Sequence, residues 1–263
     1  MLRPLAASAG AGRGLDVRAL LMMTVQLRSQ SGRLLRIGHK GAAALAPENT
    51  IESLAAALDH RVDMVELDVV RADDGELLVA HSPAAITPKT PTLDAALAFL
   101  AAEAPRQVGL NCDLKWYGYE PEALEALRRH GLVDRTLVCS VFAASLRCVR
   151  QLEPAATTGL SYPWDRHGVS ERPWTAPLAH TGVAILKRVL PLRVVGLIHR
   201  ADANVAVLHH LVITRPVVER CHRAGVPVLA WTVDAPADLE RMVVAGVDGM
   251  ITNNPTVFDG IVR

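Results

Sequence analysis

The chain has no excess of charge of either sign: 28 lysines and arginines stand against 27 acids in 263 residues, for a net charge of +1. Without a concentrated basic face, a nucleic-acid partner is not expected. Cysteine is scarce, and Cys112, Cys139, Cys148 and Cys221 form no CxxC pair. They fit buried thiols in a reducing compartment better than a disulfide framework. No uninterrupted apolar run reaches the roughly 18 residues of a transmembrane helix; the location expected is cytoplasmic, with membrane association left open. A glycine-rich phosphate loop is also missing, because GHKGAA at 38–43 matches the dinucleotide fingerprint poorly. That absence argues against a doubly wound open sheet.

Half of the chain is apolar and about a fifth is charged, an ordinary globular composition. The length suits one large α/β domain. Residues 1–33 are rich in arginine and small residues and carry one acid, Asp16. Their apolar stretch at 19–25 is short and lacks a clear cleavage site, so a dispensable tail is expected, with Met22 or Met23 as a later start.

From Leu34 onward, β-like runs alternate with helical patterns. Strands are expected at 34–38, 64–70, 76–81, 107–115, 136–141, 157–161, 205–207, 226–233 and 249–252. Helices are expected at 47–60, 92–103, 122–130, 144–152, 216–224 and 236–245. Repeated β-then-α units with buried strands imply a parallel sheet, and eight of them closing on themselves make a (β/α)8 TIM barrel, here a single domain over 34–259.

In such a barrel, catalytic groups sit where strands run into the loops that follow them. His39 and Lys40 end the first strand. Glu66 and Asp68 are two apart within the apolar run MVELDVV, so their side chains share a face. His81 ends the short run after the Asp73-Asp74-Gly75 turn, and Asp113 and Lys115 end VGLNCDLK. Two carboxylates inside an apolar strand are costly unless a cation is present. Glu66, Asp68 and Asp113 together supply oxygen ligands suited to a hard ion, Ca2+ or Mg2+. Histidines on separate strands suit general acid and base work on either side of a phosphorus atom. Lys40 and Lys115 supply positive charge for the phosphate. Each residue alone has a bland reading as a strand-end or edge residue; their convergence is what points to phosphoester chemistry.

These motifs resemble the glycerophosphodiester phosphodiesterase family. The resemblance rests on His39-Lys40-Gly41, Pro47-Glu48-Asn49-Thr50, Glu66-Leu67-Asp68, His81-Ser82, Asp113-Leu114-Lys115, Ser140-Val141-Phe142, Trp231-Thr232-Val233 and Gly246 to Pro255. It covers nearly everything from Leu34 to Pro255. It implies a TIM barrel that hydrolyses a phosphodiester to glycerol phosphate and an alcohol, with a substrate hydroxyl attacking first and water opening a cyclic phosphate. Carried over residue by residue, His39 and His81 are the acid–base pair, and Glu66, Asp68 and Asp113 the ligands of a divalent metal. Lys40 and Lys115 contact phosphate, and Trp231 lines the pocket. Glu48 is expected to act structurally or in support of the metal ligands.

The sequence departs from the family at Lys40, Ser82, Asp113 and Asn253, which stand for arginine, aspartate, glutamate and aspartate. Lysine lacks the planar fork of arginine. Asp113 is one methylene shorter but keeps its charge, and Ser82 is expected to weaken the orientation of His81. Two alternatives follow: a lysophospholipase D that holds an acyl chain, and a catalytically weak phosphodiester-binding barrel. Within 162–200, Trp164, His167 and Trp174 are lid candidates. The stretch 186–197, with Lys187, Arg188 and Arg193, is either a barrel helix, the favoured expectation, or a peripheral lipid-contacting surface. The partner is a small-molecule or lysolipid phosphodiester, and nothing in the sequence sets the oligomeric state.

Overall fold

The computed structural model describes residues 34–164 and 176–259. The 1–33 tail, and the lid candidates His167 and Trp174, lie outside the described residues. In chain order the elements are β1 (Leu35–Gly38), α1 (Ile51–Asp59), β2 (Met64–Arg71), β3 (Leu77–Val79), α2 (Leu93–Glu103), β4 (Gly109–Leu114), α3 (Glu120–Arg129) and β5 (Thr136–Ser140). They continue with α4 (Ala143–Leu152), β6 (Thr157–Tyr162), α5 (Ala176–Arg200), β7 (Val205–His209), α6 (Arg215–Arg223), β8 (Val228–Trp231), α7 (Pro236–Ala245) and β9 (Gly249–Thr252).

Eight of these strands are parallel neighbours, and β1 pairs with both β2 and β9, so the sheet closes on itself. The fold is a (β/α)8 barrel. The expected strand at 76–81 is only the three-residue β3, which pairs antiparallel with the outer end of β2 and stands outside the ring. His81 therefore lies beyond a side hairpin and not at the end of a barrel strand. The apolar run Leu77 to Ala80 is closed in by the Asp73-Asp74-Gly75 turn before it and Ser82-Pro83 after it, which leaves room for no longer ladder.

Inward-facing positions alternate with outward ones along every strand. Leu35, Ile37, Met64, Leu137, Cys139, Val205, Val207, Leu229 and Ile251 fill the barrel interior. Leu54, Leu97, Leu124 and Leu127 pack helices onto one side of the barrel, and Val194, Ile198, Val217 and Met242 onto the other. On β2 the inward series is Met64, Glu66, Asp68, so the apolar filling ends where the carboxylates begin. On β4 the series is Gly109, Asn111, Asp113, and the register sets Glu66 beside Asn111 and Asp68 beside Asp113.

Helix α1 starts four residues later than Pro47 suggested. Thr50 is its N-cap: the Thr50 hydroxyl accepts from the Ser53 amide, and the Ser53 hydroxyl accepts from the Thr50 amide. That leaves 47–50 as a turn, with Asn49 at φ +59°. Gly41 (φ +80°) lets this turn approach closely, since a side chain there would collide with the Ser53 backbone. Helix α5, 25 residues with Pro191 inside, occupies most of the segment least explained by sequence. Leu190, Val194 and Ile198 are buried at four-residue spacing, while Leu192 is 85% exposed. This is a barrel helix, as favoured above, and among the described residues no helix is long and apolar enough to cross a membrane.

Candidate active site

Three carboxylates converge at the mouth. Glu66, Asp68 and Asp113 each offer an oxygen within 4.8 Å of the others'. Glu66 and Asp68 are buried, 3% and 0% exposed. Burial and the neighbouring Asp68 hold the Glu66 carboxyl well above its ordinary pKa; Asp113 adds to this, while Lys115 and the Lys40 amide partly oppose it. Burial would raise Asp68 too, but Lys115, His81 and His39 outweigh it and hold Asp68 well below the usual range. Lys115 is the matching cation. Its Nζ lies 2.5 Å from Asp68 Oδ1 and 2.6 Å from Asp113 Oδ2. Burial alone would lower its pKa, yet Asp113, Asp68 and Glu66 hold it well above normal.

Asn49 fixes Asp68 from the α1 side. Its Nδ2 donates to Asp68 Oδ2 at 3.0 Å, and its Oδ1 accepts from the Asp68 amide at 3.1 Å. The left-handed backbone at Asn49 turns the side chain inward to make both bonds. The Lys40 amide donates to Glu66 Oε2 at 2.5 Å. The Lys40 ammonium pairs with Glu48 Oε2 at 2.8 Å, so these two side chains answer each other at the rim.

Two histidines flank the carboxylates. His39 Nε2 is 3.9 Å from Glu66 Oε2, and its Nδ1 is 2.7 Å from Asn253 Oδ1. The tautomer follows from the next link: Asn253 Nδ2 donates to Asp234 Oδ2 at 2.7 Å, leaving Oδ1 as the acceptor. His39 Nδ1 therefore carries the proton and Nε2 a lone pair. Burial, with smaller contributions from Lys40 and Lys115, lowers the His39 pKa against the raising influence of Asp68 and Asn253. His81 is half exposed, with Nδ1 3.0 Å from Asp68 Oδ2. Asp68 is thus the partner of His81, and residue 82 takes no part in that bond. Trp231 ends the inward series of β8; its Nε1 donates to the Val207 carbonyl at 3.2 Å, and its ring meets His209 at 4.8 Å.

Asn111, Asp234, Tyr119 and His209 are site-building residues that sequence reasoning did not single out, and Asn49 entered only as part of the motif Pro47 to Thr50, with no role of its own. Asn111 is 2% exposed, two positions below Asp113, and the inward parity of β4 was the available signal. His209 was lost because the strand was ended at 207. Asn253 was noted only as a departure, yet it is the group that orients His39.

The carboxylate set fits a hard cation. Asp113 Oδ1 is a buried oxygen without a hydrogen-bond partner in the structure, and Asp68 Oδ1 has the Lys115 ammonium beside it; an orphaned buried acceptor next to two further carboxylates suits a bound ion.

The family model for glycerophosphoryl diester phosphodiesterases matches residues 39–97 and 90–257. A glycerophosphodiester phosphodiesterase of Caldanaerobacter subterraneus subsp. tengcongensis is 27% identical over 264 residues, which is 88% of this chain and 98% of that one. A glycerophosphodiester phosphodiesterase of Parabacteroides distasonis superposes with a TM-score of 0.68 at 20% identity, covering 87% and 96% of the two chains. A phosphodiesterase of Oleispira antarctica, solved with the product sn-glycerol-3-phosphate, superposes with a TM-score of 0.65 at 21% identity over 88% and 98%. The structural likenesses speak for the fold and the family model for the lineage: the chain belongs to the glycerophosphoryl diester phosphodiesterase family.

Proposed function

We propose that this family member hydrolyses glycerophosphodiesters to glycerol phosphate and an alcohol by two-histidine catalysis beside a divalent cation. One observation carries the reading: three buried-to-half-buried carboxylates converge within 4.8 Å, with a histidine nitrogen 3.9 Å from one and another 3.0 Å from a second. Glu66, Asp68 and Asp113 would hold Ca2+ or Mg2+, which supplies charge neutralisation on the phosphoryl oxygens. Lys115, already among those carboxylates, contacts phosphate, with Lys40 at the rim and Trp231 on the pocket wall.

The proton traffic follows from the tautomers. His39, neutral and with Nε2 free, takes the proton of the attacking hydroxyl as its oxygen bonds to phosphorus. His81, held through Nδ1 by Asp68, gives a proton from Nε2 to the leaving oxygen as the other P–O bond breaks. Water then opens the cyclic ester with the roles exchanged, which returns both histidines to their starting states. The small product in the Oleispira antarctica structure is compatible with this substrate class.

The test is release of glycerol phosphate from a panel of glycerophosphodiesters. Turnover should be abolished by EDTA and restored by calcium or magnesium. Turnover indifferent to EDTA would remove the metal from the account.

A further inference from the structure

Four of the chain's ten aromatic residues meet at one corner of the barrel mouth. Trp116 and Tyr117 follow β4, Phe142 follows β5 and Trp164 follows β6, so three successive strand ends contribute. Trp116 and Tyr117 stack at 5.4 Å with 18° between their planes. Phe142 stands edge-on to both, at 5.0 and 5.3 Å and angles of 69° and 75°, and meets Trp164 at 5.0 Å and 63°. Trp116, Tyr117 and Trp164 nevertheless stay 52%, 53% and 44% exposed. Clustered, exposed apolar surface of this kind marks a binding site.

The corner is held in place from below. Tyr119 is buried, its hydroxyl donates to the Val69 carbonyl at 2.6 Å and accepts from the Trp116 amide at 3.0 Å. The Ser140 hydroxyl donates to the Leu114 carbonyl and accepts from the Phe142 amide. The rings are therefore preorganised, and they begin one residue after Lys115, beside the reacting phosphate of the proposed function.

We propose that this corner binds a quaternary ammonium group on the alcohol half of the diester, making the enzyme selective for onium-bearing leaving alcohols. The inference rests on the phosphodiesterase reading above. With Phe142 edge-on to Trp116, Tyr117 and Trp164, faces of differently inclined rings border one corner, an arrangement that suits a methylated cation within about 6 Å of ring centroids. Charge agrees. In the segment 116–120, which runs into α3, the one charged residue is Glu120, which is 3% exposed, accepts the Gly118 amide at 2.9 Å and makes no ion pair among the described residues. Its carboxylate also suits the start of α3, and it makes the segment that carries Trp116 and Tyr117 negative. The neighbouring cation, Lys115, is engaged by Asp68 and Asp113. A neutral chain gains nothing from that charge, and a primary ammonium needs acceptors that ring faces lack.

The experiment compares glycerophosphocholine with glycerophosphoethanolamine, whose leaving alcohols differ by three methyl groups. The wild type should favour the choline ester in kcat/KM by about tenfold. Trp116→Ala and Tyr117→Ala, both at half-exposed positions, should bring the ratio towards one, and Trp116→Tyr should retain it. A second readout needs no turnover: tetramethylammonium should quench tryptophan fluorescence saturably in the wild type, methylammonium should not, and Trp116→Ala should lose the effect. If that titration succeeds while no diester is hydrolysed, the onium site stands and the hydrolase reading falls. Equal kcat/KM for both esters in the wild type, an unchanged ratio in both alanine variants, or an effect confined to acyl-bearing lysolipids would overturn the proposal.

Discussion

At the scale of single residues, His39 is the group whose environment says most about its work. Its Nδ1 proton is tied to Asn253, and burial disfavours the charged ring, so the folded protein lowers its pKa. A group lowered in this way stays neutral to more acid pH than free imidazole, and a cation among the neighbouring carboxylates moves it in the same direction. The acid limb of the kcat/KM profile should therefore lie below the ordinary imidazole value of 6.5. Asn253→Asp places a carboxylate on Nδ1, favours the imidazolium and should move that limb upward. Measured pH profiles of the two proteins check both statements; an Asn253→Asp limb at lower pH would contradict the assigned hydrogen bond. The substitution noted in the sequence as a departure is thus a residue that sets the state of a proposed base.

At the scale of elements, β2 and β4 were the most legible part of the chain. Carboxylates two apart inside MVELDVV must share the inward face, and the register adds Asp113 beside Asp68. The contacts that hold these side chains were not legible, because they cross between segments: Asn49 reaches Asp68 over 19 residues and Asn253 reaches His39 over 214. Turn 47–50 illustrates the limit. Proline and glutamate suggested a helix start, but the Thr50–Ser53 capping box begins the helix later and frees Asn49 to turn inward. The hairpin after β2 was likewise too short to be a barrel strand. Tyr119 shows the same cross-element logic in the loop after β4. Tyr119→Phe removes a donor from the Val69 carbonyl and an acceptor from the Trp116 amide, and should cost about 1–3 kcal/mol of stability. Urea unfolding would show this as a lower midpoint with an unchanged slope; an unchanged midpoint would mean that water replaces both bonds.

At the scale of the whole molecule, closure of the β1–β2 and β1–β9 pairings brings into one place groups spread from His39 to Asn253. The barrel was readable because its strands alternate with helices and its interior positions are apolar up to the mouth. Segment 162–200 was harder, since α5 mixes basic and apolar residues and carries Pro191, so periodicity could not separate a packed helix from a lipid-facing one. The burial of Leu190, Val194 and Ile198 makes it part of the barrel wall. The central claim concerns what the closed barrel assembles: two histidines acting on opposite oxygens of one phosphodiester beside the carboxylate trio. The most direct measurement is kcat and KM for His39→Ala and His81→Ala on a hydrolysed glycerophosphodiester. Each should lower kcat by roughly 10²–10⁴-fold with little change in KM, as expected for groups that move protons in the transition state. If either variant kept kcat within a few-fold of the wild type, that histidine would not be a proton carrier and the two-histidine account would be wrong.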